Sequence, residues 1–231
     1  MNGGFRGAAW LLAVGCATTP ALAQDSERSR YYIQQMIELA ATNDEAGVNA
    51  MQRMLEQEPR PAPRDPAAAR AALQRGQAAL RTGDLNVALT AFQQAGRDDP
   101  GNVDAVNHLG LVERKLGQFP DAERDLQRAL ALEPTRASAW FQLAQVYGLS
   151  EDGRRARGAL ANTYRFAQNP MRAEEILRNI AESEASDTLR TAAVETLRLY
   201  QLPVEVVIVP PLPANPGIVP LMTAPASGRK P

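Results

Sequence analysis

Between Ala69 and Pro170, apolar and small residues recur three and four positions apart over stretches of about a dozen residues. That spacing lines up the apolar positions on one face of an α-helix. The stretches come in pairs, and the pairs repeat every 34 residues. In register from Ala69, Val103 and Ala137, small residues stand at the eighth position (Gly76, Gly110, Ala144) and the twentieth (Ala88, Ala122, Ala156). A large apolar residue holds the twenty-fourth (Phe92, Leu126, Leu160). Ala95 and Ala129 share the twenty-seventh, and Pro100 and Pro134 the thirty-second. A fixed period of this length predicts an all-α fold, a solenoid of stacked helix pairs. The small positions are expected where the two helices of a unit cross, with Gly76 and Ala88 marking the first such crossing. Gly83 and Gly117 stand between the helices as turn residues. Pro100 and Pro134 end the second helices, because proline disfavours the helical conformation in the residue before it. Asn102 and Thr135 are placed to cap the helices that follow, and Pro120 suits the first turn of the second helix of unit two.

The flanking segments read differently. Residues 24–58 predict a helical hairpin: a first helix with Tyr32, Ile33, Met36, Ile37, Leu39 and Ala40, capped by Asp25 or Ser26, and a second with Val48, Met51, Met54 and Leu55, capped by Asn43 or Asp44. It reads as a degenerate copy of the repeat, as a cap over the open end of the first unit, or as a dimerisation element using its Met-rich face. Residues 59–68, with Pro59, Pro61, Pro63 and Pro66, predict a stiff linker. Three units follow, at 69–102, 103–136 and 137–170, the last degenerate at its end. Residues 171–201 predict two helices, the second capped by Asp187, as a cap or a divergent fourth unit. Residues 202–231 are rich in proline and predict a disordered tail. A sharper reading has Glu205 to Val209 adding as a strand to a partner, or folding back on the repeats.

Residues 1–23 read as a secretory signal: Arg6 near the start, an apolar run from Ala8 to Ala17, and Ala21-Leu22-Ala23 ahead of a cleavage before Gln24. The run is too short to span a bilayer. The expected location is therefore periplasmic or secreted. The competing expectation is an outer-membrane lipoprotein lipidated at Cys16, after Val14-Gly15. A membrane association is expected only through Cys16 or an uncleaved signal. Cleavage after Ala23 leaves no cysteine, so packing alone would stabilise the fold.

Charge and chemistry narrow the function. The chain has 25 basic and 26 acidic residues, a net charge of −1, which gives no reason to expect nucleic acid as a partner. His108 is the single histidine. Without a cysteine in the mature chain or a second histidine it makes no typical structural zinc site, and no nucleophile–base set can be assembled. No phosphate-binding glycine loop is present. The expectation is a non-catalytic protein with neither metal nor cofactor.

The repeat resembles the tetratricopeptide repeat family. The residues carrying the resemblance are Leu109, Gly110, Gly117, Ala122, Leu126, Ala129 and Pro134 in unit two, and Trp140, Leu143, Ala144 and Tyr147 in unit three. Thr163 and Gln168 depart from the pattern at the end of unit three, and Arg75 departs where unit one should be apolar. The resemblance implies a right-handed superhelix whose first helices line a concave groove that binds another protein. The groove positions it implies are Arg70, Leu73, Gln74 and Gln77 in unit one, Asn107, His108, Leu111 and Arg114 in unit two, and Phe141, Gln142 and Gln145 in unit three. Amides such as Gln77, Asn107 and Gln142 suit the backbone of an extended peptide. Family members that clamp a C-terminal carboxylate use Lys, Asn and Arg; here those places hold Leu73, Gln77, His108, Ser138 and Gln142, so no clamp is expected. Two functions follow: a periplasmic adaptor gripping a segment or helix of an envelope protein, or a lipid-anchored scaffold subunit of a pilus or secretion machine.

Overall fold

A computed structural model describes residues 20–204, with side chains from residue 27 onward. Cys16, most of the expected signal, and residues 205–231 with the Glu205–Val209 segment lie outside the described residues. The described residues form ten helices and no strand: α1 Pro20–Ala41, α2 Glu45–Glu56, α3 Pro66–Thr82, α4 Leu85–Asp98, α5 Val103–Lys115, α6 Phe119–Leu132, α7 Ala137–Leu149, α8 Gly153–Arg165, α9 Pro170–Ser183 and α10 Asp187–Leu199.

The repeat register is realised as three helix pairs, α3–α4, α5–α6 and α7–α8, stacked in chain order. Gly83 and Gly117 turn the pairs at φ +81° and +76°, a region in which side chains are disfavoured. The eighth position does meet the second helix, chiefly through the twenty-fourth residue. A Cβ on Gly76 would lie 2.5 Å from the Phe92 ring, and one on Gly110 would lie 2.6 Å from Leu126. Trp140 is buried and donates from Nε1 to the Pro134 carbonyl at 2.8 Å, tying unit three to the end of unit two.

Most helix starts follow the sequence. Asp44, Asp65, Asp84, Asn102, Asp152 and Asn169 each accept a hydrogen bond from a first-turn N–H. Three expectations are corrected. Thr135 is not a cap, since α7 starts after Arg136 without a side-chain cap. Ser186 caps α10, and Asp187 is its first residue. Asp25 and Ser26 lie inside α1, which begins at Pro20, so cleavage before Gln24 would remove its first four residues.

The hairpin is where the structure departs most from expectation. It does not cover the open end of unit one. Helix α1 lies across α8 and α6, and α2 touches α6, on the side formed by the second helices of units two and three. The contact with α8 is backbone-close: a Cβ on Gly158 would fall 2.2 Å from the Ile37 carbonyl oxygen. Asn162 Nδ2 donates to the Met36 carbonyl at 3.1 Å, and Arg165 reaches Asn43 at 3.1 Å. The linker is pinned as well. The N–H groups of Arg64 and Asp65 donate to the Asp98 carbonyl, and Arg60 donates to the Leu132 carbonyl at 3.1 Å.

At the other end, α10 packs on α7 and α8 while α9 packs mainly on α10. Thr188 lies by Gly153, Thr196 by Arg157 and Tyr200 by Ala161, so α10 runs parallel to α8. A fourth unit would set its first helix antiparallel there. The direction of α10 thus departs from the repeat pattern. Leu202 and Val204 still pack against the main core, so the fold extends past the expected boundary at 202.

A candidate protein-binding face

The first helices of the three units, α3, α5 and α7, lie side by side. Residues three and four apart on each form a stripe. On α3 the stripe holds Arg70, Leu73, Gln74, Gln77 and, one turn further, Arg81. On α5 it holds Asn107, His108, Leu111 and Arg114, with Lys115 beside it. On α7 it holds Ser138, Phe141, Gln142 and Gln145. Arg70, Gln74, Arg81, Lys115 and Ser138 are exposed; Leu73, Gln77, His108, Leu111, Arg114, Phe141, Gln142 and Gln145 are half-buried. Arg114 Nε donates to Gln142 Oε1 at 3.0 Å, joining the stripes of α5 and α7. Burial lowers the pKa of the Arg114 guanidinium from its ordinary value, and the Glu184 carboxylate opposes that shift.

Three expected groove residues sit differently from their neighbours. Asn107 is only 7% exposed, and its Oδ1 is covered and meets no donor. Gln145 Oε1 is likewise covered and unpaired. His108 turns back toward unit one: its ring stacks on Phe92 with centroids 5.1 Å apart, and Nδ1 lies 2.7 Å from the Asp104 carbonyl. His108 thus packs against unit one.

At units two and three the opposite side is occupied by the chain itself, with α1 on α6 and α8 and α2 on α6. A cleft of about 810 Å³ remains between the hairpin, the linker and α6, with Ser29, Ile33, Leu55, Glu58, Asp125 and Gln127 among its walls. Ser29 donates to Glu58 there.

One feature went unread in the sequence. The eleventh position of the units holds Ala79, Glu113 and Tyr147. Glu113 is 3% exposed, and one of its oxygens has no hydrogen-bond partner. Asp125 is 6% exposed beside it, and Arg124 lies 3.9 Å away. Burial, aided by the Asp125 charge, pushes the Glu113 carboxyl up to about 8. In unit three the Tyr147 hydroxyl donates instead to Glu123 at 3.0 Å, under the Arg155 guanidinium. Register alone marks position eleven as interior. A carboxylate there was the available signal.

Among the described residues, no group of three or more His, Cys, Asp or Glu is placed to hold a metal ion, and no helix is long and apolar enough to cross a membrane.

Comparison with known proteins adds the family. Profiles described as Tetratricopeptide repeat match residues 103–146 in one case, and 38–103 and 73–117 in another. Cellulose synthase operon protein C of Komagataeibacter xylinus is 39% identical over 69 residues, which is 30% of this chain and 5% of that protein's length. Among solved structures, a Thermobaculum terrenum O-GlcNAc transferase is 27% identical, with 59% of this chain and 27% of that chain covered and a TM-score of 0.47. The MamA protein is 22% identical, with 76% and 93% covered and a TM-score of 0.47. With its 34-residue register, its paired helices and the two profile matches, the chain carries tetratricopeptide repeats of that family between residues 38 and 146.

Proposed function

We propose that this protein is a non-catalytic adaptor that holds a segment of another protein on the face formed by α3, α5 and α7. One observation carries the reading. The chain's own N-terminal hairpin covers the α6–α8 side, while the first-helix face keeps half-buried apolar and amide side chains uncovered. Leu73, Leu111 and Phe141 offer apolar contact, and Gln77 and Gln142 offer backbone-type hydrogen bonding. Repeat stacks commonly bind along such extended faces.

The test is affinity capture on the full chain beside a Gln77→Glu/Leu111→Glu variant whose thermal unfolding matches the parent. A partner held by the parent and lost by the variant supports the reading. A partner held equally by both moves the binding site elsewhere.

The cellular setting belongs to the same proposal. The Ala21-Leu22-Ala23 motif supports export with cleavage before Gln24, and an adaptor in the periplasm. The second reading, a lipoprotein scaffold anchored at Cys16, is favoured by Val14-Gly15-Cys16. Mass spectrometry of the purified native protein separates the two: a soluble chain starting at Gln24 supports the first, and a diacylated Cys16 supports the second.

A further inference from the structure

We infer that the segment this face takes is acidic and extended, carrying Asp or Glu side chains to a cationic strip that runs along α3 and α5. The inference rests on the binding face proposed above and adds the chemistry of its ligand.

Charge is the first argument. The whole chain is nearly neutral, with 25 basic against 26 acidic residues. The stripes of α3 and α5 are not neutral. Arg70 and Arg81 lie on α3, and Arg114 and Lys115 end the stripe on α5. Their helical neighbours on these stripes are leucines and amides. The acid on the α5 stripe, Asp104, is already paired with Arg136, and the α7 stripe carries no charge. Among the described residues Arg70, Arg81 and Lys115 form no ion pair. Among the described residues no carboxylate lies within ion-pair distance of Arg114, and the Glu184 charge acts on it from further away. A half-buried guanidinium with one amide partner has donors to spare for a carboxylate.

Geometry is the second. Arg70 and Arg81 are eleven residues apart on one helix, about 16 Å. Asn107 and Arg114 are seven apart, about 10 Å, which is the rise of three residues of extended chain. Asn107 Oδ1 and Gln145 Oε1 are covered acceptors without donors, an arrangement that costs stability while it lasts. A side-chain rotation toward the face would give each a peptide N–H. The ligand the face fits therefore presents backbone donors to the amides and acidic side chains to the guanidinium groups. This differs from a terminal-carboxylate clamp, whose positions here hold no Lys or Arg.

The experiment is selection from a random twelve-residue peptide library displayed with its C-terminus fused to the coat protein, so that no free carboxylate is offered. The full chain and a variant with Arg70, Arg81, Arg114 and Lys115 changed to Gln are the two baits. The expected result is enrichment of Asp and Glu on the parent. A selected peptide should bind the parent at least tenfold more tightly than its Asn/Gln counterpart, and that preference should vanish on the variant and in 0.5 M salt. Peptides that compete with one another and lose binding to Gln77→Glu/Leu111→Glu, but show no acidic preference, overturn the inference and leave the binding face standing. Peptides insensitive to both sets of changes, or no enrichment on the parent, overturn both.

Discussion

Units one and three share a register, and they are built very differently. In unit one the buried residues of α3 and α4 are Ala69, Ala72, Gly76, Ala79, Ala88, Ala91, Phe92 and Ala95. Phe92 is the one large side chain among them. Helix α5 is its neighbour on one side, and on the other Arg75, Val87 and Thr90 are exposed. In unit three, Trp140, Leu143, Tyr147 and Leu160 belong to a core shared with α1, α6, α9 and α10. The repeat pattern specifies a helix pair; what lies on either side of the pair sets how firmly it is held. In a stack of repeats, stability is a sum of unit and interface contributions, and unit one has a single interface.

The largest expected effects break that contrast. Phe92→Ala should cost about 3–5 kcal/mol. Hydrogen exchange should show the loss confined to α3, α4 and the facing part of α5. Trp140→Ala should cost a similar amount but accelerate exchange in α1, α6, α8 and α10 as well. Equal spreading of both losses would erase the distinction between the two units.

Gly158→Ala comes next. The added Cβ meets the Ile37 carbonyl rather than a yielding side-chain tip, so about 2–3 kcal/mol should be lost. Limited proteolysis should then open the hairpin before the repeats. Gly96→Ala is the control: a Cβ there meets nothing within 4 Å, and the substitution should stabilise α4 by up to about 1 kcal/mol.

Glu113 gives a pH dependence with a definite sign. Its carboxyl titrates near 8 in the fold, against an ordinary value of 4.5. The folded chain then binds the extra proton between those values, so stability should fall as pH rises from 4.5 to 8 and level off above that. Glu113→Gln should flatten this slope and gain on the order of 1–2 kcal/mol at pH 8.5. Denaturant midpoints across pH check both; a parent that becomes more stable from pH 5 to 8 refutes the assignment. The smallest effect belongs to the i,i+4 pair of Glu174 and Arg178 on α9. Arg178→Gln should change stability by less than about 0.5 kcal/mol.

Much of this fold was legible. Gly76, Gly110, Phe92, Leu126, Pro100 and Pro134 mark the unit boundaries because helix crossing and helix ending are local problems. The place of the hairpin was not legible from the hairpin. The apolar stripe of α1, through Ile33, Met36, Ile37 and Ala40, says that it is covered without saying by what. The signal lay in α8. At the twenty-second position, Thr90 and Arg124 are exposed in units one and two, whereas Gly158 is buried in unit three. At the twenty-sixth, Gln94 and Arg128 give way to the fully buried Asn162. A second helix that is small on its outer side as well has a neighbour there. The positions proposed for the binding face come from the family resemblance; helical spacing says only that those on one helix share a side. The covering of Asn107 and the turn of His108 onto Phe92 depend on side-chain packing between units, which no register shows.

A partner is proposed to meet α3, α5 and α7, since the chain's own hairpin occupies the α6–α8 side. Photo-crosslinking in the native cell tests it most directly. A benzoylphenylalanine would replace Gln77 or Leu111 on the first-helix face, and Gln93 on α4 or Arg172 on α9 as exposed positions away from it. One discrete adduct is expected from Gln77 and Leu111, and none of that size from Gln93 or Arg172. The same adduct from Gln93 or Arg172, with none from Gln77 and Leu111, would contradict it.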